Sequence, residues 1–390
     1  MTKWTKHILN VGLVLLLLTG AFRLHGQKHS LWYIEPGIRY GRIIPNFKDA
    51  SWLWQTDLYG LEVRVGRQTD GQKEWEQWFK YPSYGAVLRY SHFNRESIGD
   101  KIALFGFFNG NFIQRPGFTF FYQLGAGINF WTKKYDFYLN PENVFVGGHV
   151  SAHLDVTMGI TARLSRHTDI VLAGNISHSS NGVLSLPNYG INCVTVKAGV
   201  RCRMFENYEP LRTIDTITQF TPINSLYFFV APGIKQSRAE FNISKPDRPH
   251  HYFATTLEIG YMRQPHPKFR YGGGFDLFYN REVLTYLPQG SPHSKCILPA
   301  TFAAFDITFS RLVLHTSTGF YLGRNYRFYK PYYERIGIQV FLGRNRNHFV
   351  GTSIKAHLFV ADYIEWTYGF YFFNWYDKKA RHLNNHRHFS

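Results

Sequence analysis

The segment NISHSSNGVLSLPNYGIN, residues 175 to 192, combines the side chains that a hydrolytic site requires. In a strand, His178 and Ser180 lie on one face, and Asn192 lies on the matching face of the strand that follows. A hydroxyl, an imidazole and a carboxamide so placed predict a nucleophile, its general base and the group that fixes the tautomer of that base. An Asn in the third role also avoids burying a carboxylate.

The three side chains interrupt a face that is otherwise apolar. That face continues through Ile170 and Leu172 in the first strand and through Val194 and Val196 in the second. Polar groups on an apolar face cost free energy unless they pair, so residues placed there are candidates for function. The alternative is a hydrogen-bonded cluster at the rim of the fold, without catalysis.

The His-x-Ser spacing by itself is weak evidence, because it recurs in the chain. It is found again at His149–Ser151, His315–Ser317 and His388–Ser390. Strand parity predicts that the first two lie on the polar face, and the third falls in a polar tail. The copy at His178 differs because an Asn-Gly follows it and Asn192 lies on the partner strand.

The elements that must position these residues are strands with a strict alternation. In residues 151 to 164 one face is apolar and the other almost wholly polar, and residues 118 to 130 and 350 to 360 repeat the split. Such runs are about ten to thirteen residues long, enough for a tilted strand to cross a bilayer, whereas strands of soluble sheets have about five or six. The pattern predicts an all-β transmembrane antiparallel β-barrel, with its apolar face toward lipid.

The alternating segments form two sets. About eight precede Phe205 and about eight more run from Leu226 to Phe373. We interpret them as two eight-strand units, at 27–205 and 226–374, with a connection at 206–225 and a polar tail at 375–390. One large barrel of about 16 strands is favoured over two small ones, because chains with two separate barrels are uncommon. The inward residues of the second unit predict a polar interior without a catalytic group; they include Arg335, Gln339, Lys355 and Glu365.

Residues 1–26 have the layout of a secretory signal peptide, with lysines, a short apolar run and small residues before Gln27. The chain is therefore expected in the bacterial cell outer membrane. Its formal charge of +18 indicates an anionic partner, and an exported chain meets lipopolysaccharide phosphates before nucleic acid, which we do not expect it to bind. Cys193 and Cys202 lie about 30 Å apart along one extended segment, too far to form a disulfide.

The segment HSSNGVLSLPNYGIN resembles the outer-membrane lipid A 3-O-deacylases, the acyloxyacyl hydrolase family. The family pattern is His-x-Ser-Asn, followed by Pro-Asn and a Gly before the third member of the triad. The matching residues are His178, Ser180, Asn181, Pro187, Asn188 and Gly190. The N-terminal unit has the length of the family's eight-stranded barrel.

The resemblance implies Ser180 as nucleophile and His178 as base. It also implies that Asn181 and Asn188 help to hold the oxyanion or the loop. Gly182, next to Asn181, is a further candidate for the substrate or oxyanion site. The expected reaction is hydrolysis of an acyl ester of lipid A at the extracellular end of the seventh strand, without a metal or other cofactor. The sequence departs from the family at Asn192, where the best-known members carry Glu.

Two alternatives stay open. Outer-membrane phospholipase A is similar in its His-x-Ser-Asn-Gly context and its Asn at the spacing of Asn192, but it requires calcium, and Val183 stands where it usually has Arg. A non-enzymatic porin or structural barrel is the alternative of another class, with a lumen of Arg and Lys that favours anions. In the tail, His382 and His386 have a spacing that suits metal binding on a helix, although a disordered basic end is favoured.

Overall fold

The computed structural model describes residues 31–45, 48–204, 220–242, 249–323, 330–358 and 360–376. The signal peptide, most of the connection and the tail with His382 and His386, as predicted from the sequence, lie outside these residues. Within them, no helix has both the length and the apolarity of a membrane span. The helices are α1 (Glu74–Trp78) and three 3₁₀ helices at Lys48–Gln55, Arg281–Tyr286 and His293–Cys296.

The first eight strands close into a barrel in which each strand pairs with its sequence neighbours and β8 returns to β1. All these pairs are antiparallel, and the closing pair aligns Tyr33 with Arg203 and Ile44 with Asn192. The strands are β1 (Trp32–Ile44), β2 (Asp57–Gln68), β3 (Ser83–Phe93), β4 (Asp100–Arg115), β5 (Phe118–Trp131), β6 (Val150–Arg163), β7 (Thr168–Ser180) and β8 (Ile191–Arg203).

The last eight strands form a second closed barrel, in which β16 pairs with β9. The strands are β9 (Ile223–Gln236), β10 (His251–His266), β11 (Phe269–Asn280), β12 (Ile297–Phe309), β13 (Leu312–Tyr321), β14 (Tyr332–Leu342), β15 (His348–His357) and β16 (Val360–Tyr376). The prediction of one large barrel is therefore wrong, and the two eight-strand units close separately.

The side chains inside each barrel explain the separate closure. A barrel of about eight strands is just wide enough for its interior side chains to fill it, whereas about sixteen strands enclose an aqueous channel. In the first barrel Glu35 pairs with Arg64 at 3.0 Å and with Arg201 at 2.7 Å. In the second barrel Arg335 pairs with Glu365 at 2.7 Å. Such buried charges are stabilised only when partners lie opposite them, and a narrow lumen supplies those partners.

The alternation predicted from the sequence is present on both strands that carry the candidate site. Ile176 of β7 and Val196 of β8 are 57% and 62% exposed on the outside of the barrel. Their neighbours Asn175 and Thr195 are buried in the lumen, where Arg39 donates hydrogen bonds to both. The outer face is thus apolar and the interior polar, which is the inverse of a soluble barrel.

The two barrels contact each other at both ends. At the end that carries α1, the rings of Phe79 and Phe108 lie 4.8 and 4.3 Å from that of Phe309 in β12, measured between centroids. At the opposite end the β7–β8 loop, residues 181 to 190, meets β9, β10 and β16. The second barrel is therefore next to the segment that the sequence singles out.

Candidate active site

His178 and Asn192 are directly opposed on β7 and β8. Their side chains meet, with 2.6 Å between Nδ1 of His178 and Oδ1 of Asn192. Because an amide oxygen only accepts hydrogen bonds, Nδ1 carries the proton and Nε2 of the neutral ring is left as an acceptor. Asn192 thus sets the tautomer that a general base requires.

Ser180 is the last residue of β7, two positions after His178 and on the same face of the strand. It is 7% exposed. Its Oγ accepts hydrogen bonds from Nδ2 of Asn188 at 2.8 Å and from the backbone N–H of Gly182 at 3.3 Å. Among the described hydrogen bonds, none joins Ser180 to His178, so the structure places the two residues side by side with the hydroxyl turned toward the loop.

Asn188 is held in one orientation by the start of the same loop. Its Oδ1 accepts a hydrogen bond from the backbone N–H of Asn181 at 3.3 Å, so its Nδ2 faces Ser180. Asn181 in turn donates from its own Nδ2 to the carbonyl of Ser185 at 2.8 Å. The two asparagines therefore fix the loop and point an amide donor at the serine hydroxyl.

Two glycines of the loop are required by its backbone and its neighbours. Gly182 has a φ of +59° and Gly190 a φ of +71°, in the left-handed region that glycine tolerates best. A Cβ on Gly190 would lie 3.0 Å from Cε1 of His178, so a side chain there would displace the imidazole. Gly190, which matches the glycine of the family pattern, therefore leaves space for the imidazole of His178.

The loop between β5 and β6, which also belongs to the first barrel, supports residues 181 to 190, here called the site loop. Ser185 donates from its Oγ to the carbonyl of Gly147 at 2.8 Å. The backbone N–H of Gly190 donates to the carbonyl of Phe145 at 3.1 Å, and that of Tyr189 to Val144 at 3.3 Å. Both halves of the site loop therefore rest on this support.

The neighbouring Ser179 lies on the inward face of β7 and bonds within the polar lumen. Its Oγ accepts a hydrogen bond from Nζ of Lys101 at 3.3 Å inside the lumen. Ser179 and Ser180 are adjacent in sequence and both buried, but their side chains serve different environments. The strand parity distinguishes the candidate nucleophile from a lumen serine.

The other His-x-Ser copies lie elsewhere. His315 and Ser317 are buried in the lumen of the second barrel, and His315 lies 2.7 Å from a carboxylate oxygen of Asp306. Ser151 is buried in the first lumen, where Nε1 of Trp131 donates to it. His388 and Ser390 lie outside the described residues.

The sequence reasoning missed the contribution of the second barrel. Leu186 donates its backbone N–H to Oε1 of Gln236 at 2.7 Å, and Nε2 of His251 lies 2.9 Å from the carbonyl oxygen of Leu184. The sequence does contain an indication of Gln236, because the even positions of β9 form an outward row through Pro232 and Ile234, and Gln236 is a polar residue in that row. It is the same kind of polar interruption that identified His178.

Within the described residues, no group of three or more His, Cys, Asp or Glu side chains is arranged to hold a metal ion. Val183 occupies the position at which the calcium-dependent phospholipase usually has Arg. Its side chain is fully buried, and its carbonyl accepts a hydrogen bond from the backbone of Gln236 at 2.9 Å.

Comparison with known proteins gives one family match for each barrel. The model of the family described as "Lipid A 3-O-deacylase (PagL)" matches residues 59–201. The model described as "Acyloxyacyl hydrolase, C-terminal domain" matches residues 224–375. A search of curated proteins found no match.

Several solved structures are similar in part. Neisserial surface protein A is 11% identical, with 45% of this chain and 98% of that chain covered and a TM-score of 0.32. The outer membrane enzyme PagL is 16% identical, with 42% and 97% covered and a TM-score of 0.29. The β domain of the Bordetella autotransporter BrkA is 9% identical, with 87% and 97% covered and a TM-score of 0.23.

The closed barrels with apolar outer faces and charged interiors define an outer-membrane β-barrel protein. The family matches confirm the outer-membrane location that the sequence predicted. The first barrel matches the lipid A 3-O-deacylase family and the second barrel the C-terminal domain of the acyloxyacyl hydrolases, so the family resemblance of the segment HSSNGVLSLPNYGIN is confirmed.

Proposed function

We propose that the chain is an outer-membrane esterase that hydrolyses an acyl ester of lipid A. Ser180 is the nucleophile, His178 the general base and Asn192 the residue that orients the base. The observation that carries the proposal is the convergence of two hydrogen-bond donors, from Asn188 and Gly182, on one point beside a histidine of fixed tautomer.

The base is ready for its role in the tautomer described above. Since Nδ1 of His178 donates to Asn192, Nε2 has a lone pair that can accept the proton of Ser180. Rotation of the Ser180 side chain about its Cα–Cβ bond turns Oγ from the loop toward the imidazole. The alkoxide then attacks the ester carbonyl, and an acyl-enzyme forms as the sugar hydroxyl leaves with the proton from His178. Water, deprotonated by the same Nε2, then attacks the acyl-enzyme, so that the fatty acid leaves and Ser180 Oγ regains its proton.

The same rotation vacates the point between Asn188 and Gly182. A side-chain N–H and a backbone N–H then face the position that the carbonyl oxygen of the substrate occupies as it becomes negative. Donors fixed in advance at such a point are typically the largest single contribution to acyl transfer. Asn181 can also contribute to substrate binding, because its buried Oδ1 accepts no hydrogen bond from the described residues and is left to accept one from the substrate.

The position of the site suits a lipid substrate. His178 follows the outward row of Leu172 and Ile176, so an acyl chain that lies along this face reaches the imidazole without leaving its apolar surroundings. With the chain termini in the periplasm, the end of β7 lies at the outer leaflet, where lipid A is located. The positive charge of the chain favours its phosphates.

Mass spectrometry of lipid A tests the proposed function. Cells that produce the chain should contain lipid A lacking one acyl chain, and cells that produce Ser180→Ala at an equal level should not. Identical lipid A profiles in the two strains would contradict the esterase assignment.

A phospholipase is the second candidate, and Asn192 favours it, because the phospholipase pattern has Asn where the deacylase pattern has Glu. Purified protein supplied separately with lipopolysaccharide and with phospholipid vesicles separates the two. We expect release of fatty acid from lipopolysaccharide in excess EDTA. Activity on phospholipid alone that requires calcium would support the phospholipase.

The non-enzymatic alternative has less support from the interior of the barrels. Buried ion pairs of Glu62 with Arg89 in the first lumen, and of Asp306 with Arg270 in the second, span the space that a pore would need. The two donors directed at the Ser180 hydroxyl are also the arrangement that an oxyanion site uses.

A further inference from the structure

The site loop is fastened to the second barrel as well as to the first. Gln236, at the end of β9, contacts the loop twice: its backbone N–H donates to Val183 and its Oε1 accepts from Leu186. Gln236 is 3% exposed although its side chain lies on the outward row of β9, because the loop covers it. Any Cβ on Gly182 would lie 2.4 Å from Cγ1 of Ile364 in β16, so no space separates the loop from this barrel.

The bond to Leu186 is the one that matters for the site. Leu186 precedes Pro187 and Asn188, and it is buried, so its N–H requires an acceptor. The acceptor it has is the side chain of Gln236. Without that acceptor the buried N–H loses its partner, and the segment that carries Asn188 is free to shift away from Ser180. The first barrel holds this loop on one side, and Gln236 holds it on the other.

We propose that the second barrel completes the hydrolytic site of the first, with Gln236 as a positioning residue that keeps the amide of Asn188 directed at the oxyanion position. This inference rests on the proposed esterase function. It assigns to the C-terminal barrel a part in transition-state stabilisation, through the loop and without contact with the reacting atoms.

The test uses the full chain with Gln236→Met, which keeps the side-chain length and removes the acceptor, and Gln236→Glu, which keeps an acceptor oxygen. Gln339→Met is the matched control, since Gln339 is also buried in the second barrel but accepts from Arg270, away from the loop. All variants are first checked for heat-modifiable migration on gels. Fatty-acid release from lipopolysaccharide then gives kcat and KM.

We expect Gln236→Met to lower kcat about tenfold, the effect of about one hydrogen bond, with KM changed less than about twofold. Gln236→Glu should restore most of kcat, and Gln339→Met should match the wild type. In the Asn188→Ala background, Gln236→Met should have no further effect, because the positioned group is already gone. A kcat of the wild type in Gln236→Met, or equal loss in the Glu and Met variants, would overturn the proposal.

Hydrogen exchange of the Leu186 amide supplies a readout that does not depend on turnover. It should be slow in the wild type and in Gln236→Glu, and faster in Gln236→Met. Rapid exchange in the wild type would overturn the positioning role even if Gln236→Met does not fold. If the Leu186 amide exchanges slowly in the wild type but the wild type releases no fatty acid, the proposed esterase function is contradicted. The contact between Gln236 and Leu186 then still stands.

Discussion

The two barrels share a strand number and a charged lumen, but they differ at the end of their seventh strands. In the first barrel β7 ends in His178 and Ser180 on the outside, and ten residues, 181 to 190, lead to β8. In the second barrel β15 ends in His357, and two residues, 358 and 359, lead to β16. One end forms the candidate site and the other does not.

The environment of the two imidazoles accounts for the difference. Nε2 of His357 lies 2.8 Å from the hydroxyl oxygen of Tyr321, and its Nδ1 lies 3.9 Å from a carboxylate oxygen of Asp362 in the polar interior. His178 instead meets the amide of Asn192 on the outer face of the first barrel. A shift of one position in strand parity thus separates a lumen residue from a candidate base. The ten-residue loop after β7 also supplies the donors of Asn188 and Gly182. The two-residue connection after β15 is too short to supply a comparable pair.

The largest effect should come from the nucleophile, which has a neighbour on the opposite face. Ser180→Ala should abolish fatty-acid release from lipopolysaccharide, because it removes the hydroxyl that both loop donors contact. Ser179→Ala should retain turnover, since its Oγ is bonded to Lys101 in the lumen. Both variants should keep heat-modifiable migration. Equal losses from the two serines would mean that the faces of β7 are not functionally distinct.

The two histidines test the comparison of the barrels directly. His178→Ala should lower kcat by about 10²–10⁴-fold, the usual contribution of general acid–base catalysis. His357→Ala, at the matching strand end of the second barrel, should keep a kcat close to that of the wild type. Steady-state fatty-acid release from lipopolysaccharide measures both. A comparable loss of kcat in His357→Ala would place chemistry in the second barrel.

The smallest effect is expected at the orienting residue. Asn192→Ala should lower kcat by about 10–10²-fold, because orientation is only part of the contribution of the base. Asn192→Glu, which introduces the residue of the deacylase pattern, should retain activity, since a carboxylate oxygen also accepts the Nδ1 proton of His178. If Asn192→Ala is as active as the wild type from pH 6 to 9, the triad reduces to a pair of Ser180 and His178.

The sequence by itself determined the strands, their two faces and the residues of the candidate site. Alternation along β7 and β8 is a local property, so the spacing of His178, Ser180 and Asn192 along the chain is enough to place them on one outer face. Lumen residues such as Arg335 and Lys355 followed from the same rule and are buried as predicted. The resemblance to the deacylase family was also local, carried by one segment, and the family match confirms it.

Only the tertiary structure decided how the strands close and what holds the loop. The alternation of a strand is identical in one large barrel and in two small ones, so it contains no information about whether β8 pairs with β1 or with β9. The pairing of Gln236 with Leu186 joins residues 50 positions apart in two different barrels, beyond the reach of any periodicity. The direction of the Ser180 hydroxyl likewise depends on Asn188, whose position is set by a folded loop and not by the spacing of residues along a strand.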